Sequence, residues 1–314
     1  MIFVLIKVVY LMKIMDMTKQ DLIKKQNMTL NQKIDHTLGS IEQFYNIYKG
    51  NVYVSFSGGK DSTVLLHLVR KLYPNIKAVF ADTGLEYPEI RDFCKQINNC
   101  EFVKPKRSFK YVIEKYGYPV ISKKISMGVS RYRNTKCDLQ KELRLHGGIN
   151  PTSEKKQYPT ISKKWHYLIN APFKISERCC DILKKEPLKR FQKETGLKPI
   201  IGTMTEESAF RTLEYLKHGC NSFNKKNPQS TPLAIWTEEN IWEYIEKYNI
   251  KYSKIYDMGY KRTGCMFCMF GIDNEDKSRN NRFEKMKHTH PKIYNYCINK
   301  LNVGGVLDYI NIKY

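Results

Sequence analysis

Residues 51–56 read NVYVSF, a run of β-branched and aromatic residues, and Ser57-Gly58-Gly59-Lys60-Asp61-Ser62 follows directly. Apolar residues then recur at helical spacing: Val64, Leu65, Leu68, Val69 and Leu72. A strand, a glycine turn and a helix in immediate succession constrain this chain more than any other feature. Glycines let the backbone turn sharply and bring its N–H groups close to an anion. The helix N-terminus adds its dipole, Ser57 and Ser62 add hydroxyls, and Lys60 adds a point charge. The spacing differs from the Walker form, G-x-x-x-x-G-K-S/T. The alternative is a polar turn that binds nothing.

The same alternation continues. Residues 76–81 (IKAVFA) form a second buried strand, residues 88–97 a helix, and residues 100–103 a third strand. Residues 199–202 (PIIG) read as a further strand. Strands alternating with helices imply a doubly wound parallel sheet, class α/β, with right-handed crossovers. Ligands of such sheets bind over the carboxyl ends of the strands. Residues 19–48 carry apolar residues at helical spacing and predict one or two amphipathic helices. Residues 122–174 lose the pattern and read as a Lys-rich insertion of short helices and loops, with Gly147-Gly148, Pro151 and Pro159. Residues 236–248 predict a helix capped by Thr237. The expected organisation is an N-terminal helical segment (1–48), a nucleotide-binding α/β domain (49–215) including the insertion, and a C-terminal helical segment (216–314).

Charge narrows the partners. Lys and Arg number 54 and Asp and Glu 31, a net +23. Such an excess favours a polyanion; the alternative is a solvated surface enriched in Lys by an AT-rich genome. A hydrophobic content of 41% excludes wholesale disorder. Residues 1–15 are apolar but too short to span a bilayer, and Lys7 and Lys13 interrupt them. No small-residue cleavage site follows. They read as a packing segment or an over-extended start, with Met15 or Met17 as the initiator. No membrane partner is expected.

Nine cysteines are too sparse for a disulfide scaffold, and reduced thiols imply a cytoplasmic protein. Cys179 and Cys180 are adjacent, and Cys265 and Cys268 form a C-x-x-C. Three readings stand open: one [4Fe-4S] cluster held by the four thiolates, a structural zinc site, or a redox C-x-x-C with an unrelated pair.

The loop SGGKDS resembles the PP-loop of the ATP pyrophosphatase and phosphoadenylyl-sulfate (PAPS) reductase superfamily. Asp82-Thr83-Gly84, with Tyr87-Pro88-Glu89, resembles the DTG-x-x-x-P-E segment of PAPS reductases. Gly202 through Glu207-Ser208 to Arg211 resembles G-x-R-x-x-E-S-x-x-R, with Met204 where the family has Arg. Pro232-Leu233, Trp236-Thr237, Trp242, Tyr256 and Gly259-Tyr260 resemble a later run of that family. Cys179-Cys180 with Lys184, Pro187 and Leu188, and then Gly264-Cys265-x-x-Cys268, resemble the cluster pattern of adenylyl-sulfate (APS) reductases. Leu183 replaces an Arg of that pattern, and Lys184 could donate to cluster sulfurs.

The resemblance implies an adenine-nucleotide alpha hydrolase fold and an enzyme. It implies that Ser57, Gly58, Gly59, Lys60, Asp61 and Ser62 hold phosphates of ATP or an adenylyl sulfonucleotide. Asp82, Thr83 and Gly84 would lie by the adenosine, and Cys179, Cys180, Cys265 and Cys268 would hold the cluster. Lys60, Asp61 and Arg211 are the candidate catalytic residues: Asp61 would place Mg²⁺ if the ligand is ATP, and Arg211 would meet the leaving phosphate. Sulfonucleotide reductases carry a nucleophilic Cys in an E-C-G-L-H tail. Residues 304–314 contain none, and Cys297 lies in a helix-like setting that reads as buried.

The leading expectation is therefore adenylation of an acceptor, tRNA or DNA, followed by cluster-assisted sulfur transfer from a donor such as a cysteine desulfurase. Sulfonucleotide reduction with an external or unconventional thiol is the alternative, and a nucleotide-sensing or nucleic-acid-binding module with a structural cluster is a third. Candidate nucleic-acid contacts are Lys123, Lys124, Arg131, Arg133, Lys136, Lys155, Lys156, Lys163 and Lys164, with Tyr132, Trp165, His166 and Tyr167 as stacking groups. The segment after Cys268 contains Arg279, Arg282, Lys285, Lys287, His288 and His290; His288 and His290 read as polar surface, with metal ligation as the alternative.

Overall fold

A computed structural model describes residues 17–150, 153–275 and 281–314, without the side chains of 150 and 153–156. The readings for residues 1–15, Pro151, Arg279 and the side chains of Lys155 and Lys156 lie outside the described residues. The chain forms two compact units. One holds the residues through Ala81, Pro88–Val103 and Arg190–Tyr256; the other holds Asp82–Tyr87, Lys104–Lys189 and Asp257–Tyr314. The segments of the two units alternate along the sequence. The reason is topological: a parallel sheet gathers its strands from distant stretches, and the intervening chain packs elsewhere.

The first unit is built on a six-stranded sheet. Its strands are β1 (Val52–Phe56), β2 (Ala78–Ala81), β3 (Cys100–Val103), β4 (Lys198–Ile201), β5 (Asn221–Ser222) and β6 (Gln229–Ser230), in the order β3-β2-β1-β4-β6-β5. Val54 pairs in parallel with Ala78 on one side and Ile200 on the other. Within this sheet the two-residue strands β5 and β6 pair antiparallel. The chain runs outward from β1 to β3 and then returns to the opposite side of β1. The order thus reverses between β1 and β4, where doubly wound sheets bind ligands. This is the α/β class expected from the sequence.

Each core element follows from its residues. The helix Lys60–Leu72 buries Val64, Leu65, Leu68 and Val69 completely. Such burial contributes about 1.5–3 kcal/mol per side chain. The helices Lys19–Gln26 and Leu30–Ile47 each begin with a capping box, Thr18 with Asp21 and Thr29 with Gln32. The helix Glu238–Lys247 starts at the expected cap: Thr237 accepts the N–H of Asn240.

The second unit has little sheet. Val120–Ile121 pairs in parallel with Met269–Phe270. Residues of the insertion form the helices Lys123–Asn134 and Asp138–His146, a short hairpin and 3₁₀ turns over Lys163–Asn170. One π-helical turn, Asp181–Lys185, follows Cys180. Pro291 starts a new helix after Arg282–Thr289 ends. Among the described residues no helix is long and apolar enough to cross a membrane.

Candidate functional site

The phosphate loop sits at the carboxyl end of β1. Gly58 has φ +72°, and a Cβ there would lie 2.6 Å from Cys94 Sγ and 2.9 Å from Ile90 Cγ2. Only glycine meets both demands. The loop is held by its own hydroxyls. The Ser57 N–H donates to Ser62 Oγ at 3.1 Å, and the Ser62 and Thr63 hydroxyls donate to the Gly59 carbonyl at 2.9 and 3.0 Å. Gly202, just past β4, also approaches: a Cβ on it would lie 3.2 Å from the Asp61 carbonyl. The loop and the end of the neighbouring strand therefore meet at the reversal in strand order.

Lys60 and Asp61 open the helix. Lys60 Nζ lies 3.0 Å from Glu238 Oε1 and 3.6 Å from Asp61 Oδ1. It also lies 5.6 Å from the Tyr256 ring centroid and 6.0 Å from that of Trp242. Burial works against its charge, but Asp61 and Glu238 outweigh burial and hold it above the ordinary lysine value. Burial pushes the Asp61 carboxyl upward against the pull of Lys60, and its Oδ1 is shielded from solvent and accepts no hydrogen bond. The Lys60 N–H donates to the Tyr256 hydroxyl at 2.8 Å. Arg211 is ion-paired with Glu207 on the preceding turn. Sequence reasoning did not find Glu238 as the partner of Lys60; its only signal was a place in the first turn of a capped helix.

The second unit holds the cysteines. Cys179, Cys180, Cys265 and Cys268 line one cavity with Thr83, Leu85, Phe109, Pro119, Leu183 and Lys184. The two cysteine pairs, distant in sequence, thus line the same cavity. Local bonds explain how. The Met266 N–H donates to the Leu85 carbonyl at 2.8 Å, and the Cys268 N–H closes a turn onto the Cys265 carbonyl at 3.1 Å. Asp82 and Thr83 are buried and engaged: Asp82 accepts the Gly84 N–H at 3.3 Å, and the Thr83 hydroxyl donates to Glu86 at 2.8 Å.

Electrostatics here turn on the thiols. Burial pushes the Cys268 thiol up to about 12. Burial raises Cys179 as well, and the three neighbouring thiols add to it. Cys265 is raised by burial while Lys184 pulls it down. Charge on Cys265 in turn holds Lys184 above the ordinary lysine range. Four thiolates here need compensating positive charge, which Lys184 supplies only in part.

This donor set fits an iron–sulfur cluster, whose standard ligands are four thiolates. It fits one zinc ion less well. Tetrahedral Zn–S bonds of about 2.3 Å place the sulfurs roughly 3.8 Å apart. Among the described residues, no three or more His, Cys, Asp or Glu are grouped to hold one metal ion.

Other expectations change. Arg133 was a candidate nucleic-acid contact, but its guanidinium donates to the carbonyls of Leu168, Ile169, Ala171 and Phe173 at 2.7–2.8 Å. It braces the insertion, and those carbonyls take the donors that a phosphate would need. The half-buried His166 ring is bonded through Nε2 to the Ile161 carbonyl at 2.9 Å. Lys123 and Lys164 pair with Asp181 and Asp273. Lys124, Arg131, Lys136 and Lys163 are exposed, and Tyr167 is 39% exposed. His290 is buried beside the Tyr87 and Tyr260 rings, not on a polar surface, because Thr289 and these rings enclose it. Cys297 is fully buried, as its helical setting suggested, and burial raises its thiol.

The sequence profile of the phosphoadenosine phosphosulfate reductase domain matches residues 51–145 and 133–270. The chain belongs to that family of PP-loop proteins. It is 25% identical over 291 residues to an uncharacterized protein of Methanocaldococcus jannaschii, covering 91% of this chain but 57% of that protein. The chain thus spans little more than half of that relative. It is 26% identical over 268 residues to the adenosine 5'-phosphosulfate reductase of Bacillus mycoides, covering 84% of this chain and 94% of the reductase. Among solved structures, the U34-tRNA thiolase of Methanococcus maripaludis with its [4Fe-4S] cluster is similar over 90% of this chain and 80% of its own, at 19% identity and a TM-score of 0.38.

Proposed function

We propose that this chain binds ATP at the phosphate loop, activates an acceptor oxygen by adenylation, and carries out sulfur transfer with a [4Fe-4S] cluster held by Cys179, Cys180, Cys265 and Cys268. The observation that carries the adenylation reading is Asp61. Nucleotidyl transfer from ATP needs a carboxylate for the divalent cation, and Asp61 Oδ1 lies shielded from solvent at the loop, 3.6 Å from Lys60 Nζ.

The residues divide the work. Ser57, Gly58, Gly59 and Ser62 cradle the phosphates with the helix N-terminus. The acceptor oxygen attacks the α-phosphorus, and the bond to pyrophosphate breaks. Lys60 balances the charge on the departing pyrophosphate once Glu238 yields, Asp61 holds Mg²⁺, and Arg211 is the further cation for the leaving group. Asp82, Thr83 and Gly84 are kept as contacts for the adenosine. Sulfur then attacks the activated acceptor atom and AMP leaves; the four cysteines would hold a cluster that would supply a binding site for that sulfur. Lys184 then steadies the thiolates. The +23 charge supports a nucleic-acid acceptor, tRNA or DNA, met by Lys124, Arg131, Lys136, Lys163 and Tyr167. A sulfur donor such as a cysteine desulfurase completes the scheme.

The second reading is reduction of APS or PAPS, favoured by the 26% identity to the Bacillus mycoides reductase. Burial of Cys297 counts against it as the attacking thiol, so a thiol from elsewhere would be required. The test is anaerobic protein with α-labelled ATP and Mg²⁺, with and without tRNA or DNA. AMP and pyrophosphate, increased by one polymer, are expected. Intact ATP throughout, with sulfite released from APS or PAPS and added thiol, would establish the second reading instead.

A further inference from the structure

The segment after the C-x-x-C carries a guanidinium that the proposed chemistry does not use. Arg282 is the first residue of the helix Arg282–Thr289, and Asn281 caps that helix by accepting the N–H groups of Phe283 and Glu284 at 2.9 and 3.3 Å. Asn281 is completely buried. The start of the helix, and with it the root of the Arg282 side chain, is therefore fixed.

The guanidinium points back to the cysteine turn. Nη1 donates to the Cys268 carbonyl at 3.0 Å and Nη2 to the Phe270 carbonyl at 3.2 Å. Nε donates to Glu275 Oε2 at 3.0 Å, and Nη2 pairs with the other oxygen of that carboxylate. Between the two clamped carbonyls, the Phe270 N–H points at Cys268 Sγ, 3.4 Å away. The parallel pairing of Met269–Phe270 with Val120–Ile121 holds the same backbone from the other side.

We propose that Arg282 is a positioning residue for the Cys268 ligand, fixing the backbone N–H that bonds its sulfur, and that with Glu275 it sets the reduction potential of the bound cluster. This rests on the reading that the four cysteines hold that cluster. Hydrogen bonds to ligand sulfurs and nearby charge are two main levers on such potentials. Arginine suits the task because its planar fork spans two acceptors at fixed geometry; lysine does not.

The signs are separable. Removing Arg282 weakens the N–H···S bond and takes a positive charge from beside the cysteine turn, so the more negative, reduced cluster is disfavoured. Removing the Glu275 charge takes a negative charge from the same place and favours it. The experiment loads the full chain anaerobically and compares wild type, Arg282→Met, Arg282→Lys and Glu275→Gln. Iron and sulfide are measured, and the potential is followed by electron paramagnetic resonance. Arg282→Met should lower the reduced-to-oxidised ratio about tenfold at fixed ambient potential, about 59 mV for a one-electron couple. Glu275→Gln should raise the ratio, and Arg282→Lys should fall between wild type and Arg282→Met.

Opposite shifts are the signature that a merely structural role would not give. Potentials that stay put in loaded variants, or move the same way in both, would overturn the assignment of Arg282 and leave the cluster reading intact. A wild-type chain that takes up no iron and sulfide would overturn both. Should Arg282→Met fail to load, Glu275→Gln and Arg282→Lys decide the matter by the same measurement.

Discussion

The phosphate loop and the cysteine cradle prepare for their ligands in opposite ways. The loop is finished by the chain itself. Its hydroxyls cap its carbonyl, Tyr256 takes the Lys60 N–H, and Glu238 takes the Lys60 ammonium. An arriving phosphate exchanges partners with a structure that already stands. The cradle is unfinished: four thiols share a cavity, and burial raises the pKa of Cys179, Cys265 and Cys268. Their protons must leave before a metal group enters. One site is satisfied by hydrogen bonds and tuned by ligand exchange; the other acquires its charge balance only on loading.

The largest expected effect separates the two. Cys265→Ser, or Cys268→Ser, should abolish iron and sulfide incorporation and the visible absorption, while nucleotide binding at the loop persists. Iron and sulfide assays on anaerobic protein, with ATP binding followed in parallel, check this. Unchanged cluster content in either variant would break the ligand assignment. Lys60→Ala should do the reverse. Turnover of nucleotide should fall about 10²–10³-fold, the usual scale for losing a preorganised charge contact, with iron and sulfide unchanged. If loss of Lys60 also emptied the cradle, the two regions would not be independent, and the comparison would fail.

Glycines sharpen the contrast on a smaller scale. Gly58→Ala places a side chain at φ +72°, 2.6 Å from Cys94 Sγ. Strain and overpacking together should cost about 2–4 kcal/mol. Gly264 precedes Cys265 and has no positive φ, and a Cβ added there would meet nothing within 4 Å. Gly264→Ala should stay within about 0.5 kcal/mol of wild type. Chemical denaturation of both variants measures the difference. Equal stability would mean that the loop tolerates a Cβ through movement of Cys94 and Ile90.

What the sequence made legible follows sequence distance. The strands β1 to β4, the loop and the helix Lys60–Leu72 depend on local periodicity and on glycine, and each was readable within a dozen residues. The cap at Thr237 is equally local. The four cysteines were readable as a pattern because two pairs at those spacings carry their own chemistry. Long-range partners were not. Glu238 meets Lys60 from 178 positions away, Tyr256 from 196, and no periodicity announces either. Arg133 misled for a related reason: a basic residue in a Lys-rich stretch reads as surface until four carbonyls are seen around it. The strands β5 and β6 have two residues each, too few to alternate visibly. The division into two units escaped notice because contiguity in sequence says nothing of which distant segments share a core.

The smallest expected effect concerns acid. In the unit that bears the loop, burial lowers the pKa of His36 and His67 below the ordinary 6.5, and neighbouring lysines, Lys25 and Lys71, add to it. His67 is bonded to the Tyr244 hydroxyl at 2.8 Å. A base with a depressed folded pKa contributes stability that is fully present above 6.5. That stability is lost as pH falls through the folded value, because the unfolded chain takes the proton first. Stability of wild type should therefore decline below pH 6.5, and replacing both residues with Gln should flatten that decline without changing the midpoint slope above pH 7. Denaturation midpoints from pH 5 to 8 measure it. The cradle responds at the other end of the scale: its raised thiols favour the protonated, unloaded form, and that preference weakens only as the medium turns alkaline. A double Gln variant with the wild-type acid slope would assign the decline to carboxylates instead, and the contrast between an acid-sensitive loop unit and an alkali-sensitive cradle would rest on the thiols alone.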